Sequence, residues 1–218
     1  MYKNYKQKVL KIIADEGLLS FFKKISKFIV YKIIFIQNFI IFELNLENFV
    51  NKIETQIELD LKIATEKDID SIIEEYYNYD EFGRQYLKNQ QQKGDKCVIA
   101  IKNGKIIGYV WIMKGHMELS PFNHIQISNN KTYIYNGFVL KSYRGKRVLN
   151  AIDLYIINML IKDNKKFIIT TVATNNKPPI KARERIGFKR IGKITQFRIF
   201  GLRYDHISKK DLIYLQNP

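Results

Sequence analysis

Ile57, Leu59, Leu61 and Ile63 alternate with Glu58, Asp60 and Lys62, a period of two that predicts a half-buried strand. Thr65-Glu66-Lys67-Asp68 follows with the form of a capping box, and Ile69, Ile72, Ile73 and Tyr76 continue at helical spacing. A second helix is expected over Glu81 to Gln92, ended by Gly94-Asp95. Cys97 to Ile101 and Ile106 to Met113 read as two strands around Asn103-Gly104, a pair suited to the positive φ angles of a hairpin turn. Lys114 to Lys131 has no clear period and reads as irregular. Tyr133 to Leu140 is an apolar run that predicts a central strand. Val148, Ala151, Ile152, Tyr155 and Met159 then recur at spacings of three and four, within a helix reaching from Arg144 to about Lys162. Phe167 to Ala173 predicts a buried strand, and Asn176 to Ile186 a short helix that tolerates proline in its first turn. Phe188 to Ile194 and Gln196 to Tyr204 predict the last two strands.

The first fifty residues follow a different pattern. Lys3 to Glu16 is a basic helical stretch that Gly17 breaks or kinks. Leu18, Phe21, Phe22, Ile25, Phe28 and Ile29 then form one apolar face, opposite Lys23, Lys24 and Lys27. Such a helix suits an anionic membrane surface. It equally suits docking on the protein's own core or on a second copy of the chain. Ile33 to Leu46 is the most apolar stretch, but Lys32 and Glu43 bracket an uncharged run of only ten residues. A membrane-spanning helix needs about twenty, so a strand or hairpin is expected there. The acidic pair Asp15-Glu16 interrupts any early apolar core of a secretory signal. These readings divide the chain into an N-terminal extension over residues 1–55 and a principal domain over residues 56–218.

Composition adds limits. Hydrophobic residues make up 46% of the 218 and aromatics 13%, which argues for a packed core and against disorder. One cysteine, Cys97, excludes an internal disulfide framework, fits a reducing, cytoplasmic setting, and sits in an apolar run as a structural thiol. His116, His124 and His206 show no metal-ligand spacing, so no metal is expected. The formal charge is +16 and is uneven: Lys141 to Arg203 holds sixteen Lys and Arg against three Asp and Glu. That field would steer a phosphorylated ligand, nucleic acid, an anionic membrane at the inner face, or an acidic acyl carrier protein. The abundance of Ile, Lys and Asn together also fits a compositional bias, so charge alone names no partner.

Two stretches carry chemistry. Tyr143-Arg144-Gly145-Lys146-Arg147-Val148-Leu149-Asn150-Ala151 reads as a basic turn between a strand and a helix start. Free backbone N–H groups and the positive end of a helix dipole, with three cations beside them, suit a pyrophosphate. About thirty residues later comes Asn176-Lys177-Pro178-Pro179-Ile180-Lys181-Ala182-Arg183-Glu184-Arg185-Ile186-Gly187-Phe188. In this order the two resemble the CoA phosphate loop and the downstream Asn-to-Gly-Phe signature of the GNAT superfamily of acyl-CoA-dependent N-acyltransferases. The resemblance covers roughly Ile57 to Tyr204. It implies an α/β (α+β) fold: a twisted mixed sheet flanked by helices, here with an N-terminal amphipathic helix and strand extension.

The resemblance also implies roles. Val139 and Leu140 would run beside the pantetheine arm. Arg144, Gly145, Lys146, Arg147, Val148 and Leu149 would hold the pyrophosphate of acetyl-CoA or another acyl-CoA, and Asn176 would touch the cofactor arm. Two glycines of the usual loop are replaced by Arg147 and Leu149, which a helix-start conformation of negative φ would accommodate. Arg183 stands where a thiolate-protonating tyrosine is usual. Arginine cannot give up a proton near neutrality but can stabilise a thiolate. Glu118, His116 and His124 in the irregular segment, and Tyr133 and Tyr135 on the central strand, are candidates for moving the amine's proton; Glu118, Tyr135 and Arg183 form the catalytic set. The function implied is transfer of an acyl group, acetyl in the first instance, to the primary amine of a small molecule or peptide. Two alternatives remain: a long-chain acyltransferase fed by acyl carrier protein at a membrane surface, and a non-catalytic basic module that binds nucleic acid. A homodimer is a further possibility.

Overall fold

The computed structural model describes residues 34–50, 57–77, 80–120, 123–199 and 202–217. The Lys3 to Glu16 and Leu18 to Ile29 stretches lie outside them. The chain divides into two compact units, a larger one built from residues 39–194 and 207–217 and a smaller one with described residues 34–38, 195–199 and 202–206.

The strands are β1 (Ile34–Asn45), β2 (Asp60–Ile63), β3 (Lys96–Lys102), β4 (Lys105–Lys114), β5 (His116–Ser120), β6 (Asn123–Gln126), β7 (Lys131–Val139), β8 (Phe167–Ala173), β9 (Lys189–Ile199) and β10 (Leu202–Ile207). The helices are α1 (Glu66–Tyr76), α2 (Glu81–Gln92), α3 (Val148–Lys162), α4 (Lys177–Ile186) and α5 (Lys209–Gln216). In the larger unit the sheet runs β1-β8-β7-β4-β3-β2; β7 and β8 are parallel and the other pairs antiparallel. This is the mixed sheet with flanking helices that the order of elements predicts.

Both faces of this sheet are covered, which is why β4 is buried from Ile106 to Met113. On one face Val98, Ala100, Val110, Ile112 and Ile134 pack against Val148, Ile152, Ile156 and Leu160 of α3. On the other, Cys97, Ile99, Tyr109 and Trp111 meet Ile69, Ile72 and Ile73 of α1 and Leu87 of α2. Burial pushes the Cys97 thiol well above its usual range, so it is not a nucleophile. Thr65 caps α1 as expected: its hydroxyl accepts from the Asp68 N–H, and the Asp68 carboxylate accepts from the Thr65 N–H at 2.8 Å.

Gly108 marks the closest approach of β4 to its neighbours. An added Cβ would lie 2.9 Å from the Phe138 carbonyl oxygen and 3.2 Å from Val148 Cγ1. Neither can retreat, one being backbone and the other the first residue of α3. Gly108→Ala is therefore expected to cost about 1–3 kcal/mol by overpacking, read as a lower denaturant midpoint at unchanged slope.

Four expectations need correction or completion. Within the Ile33 to Leu46 stretch, Ile34–Asn45 form one strand of 12 residues, with Gln37 and Asn38 inside it, and no hairpin. The boundary expected between residues 55 and 56 falls outside the described residues; β1, which precedes it, pairs with β8, which follows it. The segment expected to be irregular contains a two-stranded sheet, β5 with β6, because Met117, Ile125 and Ile127 supply an apolar face buried against Met113 and Tyr133. The final strands are also shifted. Thr195, expected as a break, continues β9, and its hydroxyl donates to Asn38 Oδ1 at 2.9 Å within the smaller unit. In that unit Gln196 Nε2 also donates to Asp205 Oδ1 at 2.7 Å, and the Phe197 and Tyr204 rings lie 6.4 Å apart.

The expected elements end with a strand at Tyr204, yet α5 follows β10. Ser208 caps this helix by accepting from the Asp211 N–H, a Ser-x-x-Asp start that is visible in the sequence. Lys131 Nζ, buried, fastens the other end by donating to the Tyr214 and Asn217 carbonyls.

Candidate functional site

The site arises where β7 parts from β8. Lys131 to Ile134 pair with Phe167 to Thr170, and no further β7–β8 pairs occur among the described residues. On its other side β7 stays bonded to β4 as far as Val139, with a register shift opposite Tyr109 to Trp111. Asn136 lies in that shift at φ +47°. A bulge increases local twist, so β7 turns out of line with β8 from Tyr135 onward. The separation leaves the β8-facing backbone of Gly137, Phe138 and Val139 as one wall of a cleft of about 490 Å³.

The second wall is the turn after β7 and the first residues of α3. A single 3-10 turn, Lys141–Tyr143, leads to Gly145 at φ +82° and Arg147 at φ +60°. Arg147 is the N-cap of α3 and gives it no side-chain cap. Val148, Leu149 and Asn150 therefore begin the helix at the cleft with their N–H groups uncapped by a side chain. The third wall is α4 with its lead-in: Asn176, Pro178, Pro179, Lys181, Ala182 and Arg185.

The lining residues include four cations, Arg144, Arg147, Lys181 and Arg185, and no carboxylate. With the helix start beside them, they make an anion site whose charge comes from two separate elements. Arg144 is held in place by its Nε, which donates to the Val139 carbonyl at 3.1 Å.

Arg147 corrects one expectation. Its φ is positive, so the position favours the glycine usual in such loops, and holding a side-chain-bearing residue there costs about 1 kcal/mol. Arg147→Gly should relieve that strain, offset in part by the greater freedom of glycine in the unfolded chain. Gly145→Ala has room for its methyl group but takes on the strain in full. Denaturant melts are expected to show Gly145→Ala losing about 1 kcal/mol and Arg147→Gly losing none.

The structure gathers most of the cofactor-binding candidates at the cleft: Val139, Arg144, Gly145, Arg147, Val148, Leu149 and Asn176 all line it. Two do not. Leu140 spends its N–H on the Ile107 carbonyl at 2.9 Å, and Lys146 lies exposed with its Nζ 5.1 Å from the centre of the Tyr143 ring.

The three catalytic candidates are dispersed. Arg183 is turned inward, 4% exposed, in an ion pair with Asp153, which is 1% exposed; its guanidinium also lies 5.2 Å from the centre of the Phe188 ring. It does not line the cleft, so the position where the resemblance puts a tyrosine near the thiolate serves instead as a buried link between α3 and α4. Burial pushes the Asp153 carboxyl up, and Arg183 pulls partly against that shift. Arg183 Nη1 meets Asp153 Oδ2 directly, while Asp153 Oδ1 and Arg183 Nε are buried without a hydrogen-bond partner. Tyr135 lies on β7 at the start of the separation; its hydroxyl donates to Asp95 Oδ2 at 2.6 Å, and its ring stacks on Tyr133 at 5.7 Å. Glu118 lies on β5 opposite His124, and the His116 and His124 rings are 5.6 Å apart.

The sequence reading missed Gly137, Phe138, Tyr143, Asn150, Lys181 and Arg185 as lining residues. Lys181 and Arg185 had a signal, since they stand four apart on one face of the helix after Asn176. The partnerships of Asp95 with Tyr135 and Asp153 with Arg183 had none.

This geometry can be set beside known proteins. The model of the acetyltransferase (GNAT) family matches residues 66–188, more than half of the chain. The chain belongs to that family. An acetyltransferase of the family from Colwellia psychrerythraea matches at a TM-score of 0.55 and 16% identity, over 76% of this chain and 57% of its own. A functionally unknown conserved protein from Staphylococcus epidermidis matches at 0.54 and 15%, over 82% and 66% respectively. The chain thus spans less than two thirds of each of these proteins. A ribosomal-protein-alanine N-acetyltransferase from Brucella melitensis matches at 0.48 and 18%, over 68% and 96%. At these identities the likeness to the first two is one of fold. Among curated proteins no sequence is significantly similar.

GNAT proteins are generally acyltransferases that draw on acyl-CoA, and the cleft between β7, α3 and α4 is lined by cations and the start of a helix. Among the described residues no helix is long and apolar enough to cross a membrane, and no group of three or more His, Cys, Asp or Glu could hold a metal ion.

Proposed function

We propose that this GNAT protein transfers an acyl group, acetyl in the first instance, from acyl-CoA to a primary amine. The observation that carries the reading is the juxtaposition of an unpaired strand edge with a four-cation, carboxylate-free cleft at a helix start. Acyl-CoA supplies the activated thioester; the chain supplies position and charge. The free edge of Gly137 to Val139 would pair with the amides of the pantetheine arm. Arg144, Arg147 and the first N–H groups of α3 would hold the pyrophosphate, and Lys181 and Arg185 face the remaining phosphate charge. Because the Val139 carbonyl already accepts from Arg144, seating the phosphates also braces the strand edge.

At the start of the separation Tyr135 and Asp95 form a hydrogen-bonded pair that can take up a proton from the incoming amine through the tyrosine oxygen. Arg183 does no proton transfer in this scheme. It holds α4 against α3, and water supplies the proton to the departing sulfur. The acceptor is the amine of a small molecule or a peptide. A long acyl chain delivered by acyl carrier protein would use the same strand edge, with the basic rim as its docking point.

Thermal unfolding with CoA and acyl-CoAs of increasing length tests the reading. Ligand at a hundredfold over its dissociation constant adds about 2.7 kcal/mol, several degrees in midpoint for a domain of this size. A rise with CoA and a larger one for a preferred acyl length is expected. No rise with any CoA, beside a salt-dependent shift with RNA or DNA, would replace this reading with the nucleic-acid one.

A further inference from the structure

A second cavity, of about 820 Å³, lies in the larger unit between the end of β1, the start of β8, the end of α4 and the start of β9. It sits at the end of β8 where the strand is still paired with β7, and the separation that forms the cleft begins only beyond Thr170. Arg185 borders both spaces, but otherwise the linings differ.

Its lining combines three kinds of surface. Leu44, Phe49, Phe167, Ile186 and Ile191 make it apolar. Lys189 is an exposed cation on its border, and Lys189 and Arg185 are without an acidic partner among the described residues. Arg190, the third cation there, is taken by Glu184 at 2.6 Å. The deciding group is Glu43, only 9% exposed. Its Oε1 accepts from the Tyr214 hydroxyl at 2.7 Å, while its Oε2 is buried with no hydrogen-bond partner. A buried carboxylate oxygen without a donor is costly, and the neighbouring cation Lys131, which interacts with Glu43 through its charge, spends its Nζ on the Tyr214 and Asn217 carbonyls.

We propose that this cavity is a second ligand site, for a small zwitterion with an apolar body. Its ammonium pairs with the Glu43 carboxylate, its anion with Lys189, and its body lies on Phe49, Phe167 and Ile191. A simple anion would leave Glu43 Oε2 without a donor, and a simple amine would meet unpaired cations at the border. The volume falls within the range of small-molecule sites. The shared chemistry belongs to free apolar α-amino acids and to phosphoethanolamine lipids.

Binding to the full chain by calorimetry, with L-phenylalanine and L-leucine in one arm and monomeric lysophosphatidylethanolamine in the other, separates the two sources. N-Acetyl-L-phenylalanine, without the ammonium, and phenethylamine, without the anion, are controls. One zwitterion is expected to bind at least about tenfold more tightly than either control. Glu43→Gln, which keeps an acceptor for Tyr214, and the surface change Lys189→Ala should each weaken it by a similar factor, with the CoA-induced thermal shift unaltered. The proposal is overturned if none of the three zwitterions binds at millimolar concentration, if the controls bind equally well, or if both variants bind like the parent. Since Glu43 and Lys189 do not line the first cleft, that result would leave the acyltransferase reading untouched.

Discussion

Arg183→Ala is expected to destabilise the protein by about 3–5 kcal/mol, because it strands the Asp153 carboxylate in the core with no counter-charge. Against a total stability of roughly 5–15 kcal/mol for a typical domain, such a loss brings the chain close to unfolding at ordinary temperature. The double replacement Arg183→Leu with Asp153→Leu should behave differently. Buried ion pairs exchanged for apolar side chains are often neutral or stabilising, and this pair leaves polar atoms unsatisfied even when intact.

The pH dependence separates this account from a simple packing defect. Burial already raises the folded-state pKa of Asp153 above its unfolded value, and Arg183 is what opposes the rise. A group raised in this way favours folding below its unfolded pKa, and that contribution is lost as pH climbs through the folded value. Removing Arg183 raises the folded value further, so more of the loss falls at neutral pH. The defect of Arg183→Ala should shrink on acidification toward the carboxylate range, where Asp153 enters the core neutral. Urea melts across that range would show it. A defect constant with pH would mean that lost packing against Phe188 dominates.

The second large effect concerns the cleft. Arg144→Ala and Lys181→Ala, on separate walls, are each expected to weaken CoA binding by about 10- to 150-fold. That is the factor corresponding to roughly 1.5–3 kcal/mol for a hydrogen bond to a charged group. Both side chains are on exposed residues, so stability without ligand should change by no more than about 0.5 kcal/mol. Isothermal titration at low and high salt would read affinity and its charge dependence together. If both variants bound CoA as the parent does, the phosphates would not be held between α3 and α4.

Much of this was legible in the order of residues. The alternation before Thr65, the Asn103-Gly104 turn, the period-three-and-four run from Val148 and the glycine that ends α4 all mark elements by local rules, and the structure places these elements there, with the first strand shortened from Ile57–Ile63 to Asp60–Ile63. Local rules also found the basic turn, because the residues of a phosphate loop are contiguous. They failed where tertiary burial overruled local appearance. A polar segment became the β5–β6 sheet because three apolar side chains found a buried face, and Arg147 took a positive φ that no residue type announces.

The sequence by itself determined the family, the succession of elements and the cationic loop, since each depends on neighbours along the chain. Only the tertiary structure decided which side chains meet. Arg183 aligned with a catalytic position, yet a buried carboxylate thirty residues earlier draws its charge inward. Tyr135 gained Asp95 from a different element, and Glu43 kept one oxygen for which the described residues offer no donor. Such outcomes depend on desolvation, on the cost of an uncompensated buried charge, and on where two strands separate. Those quantities exist only once the chain has folded.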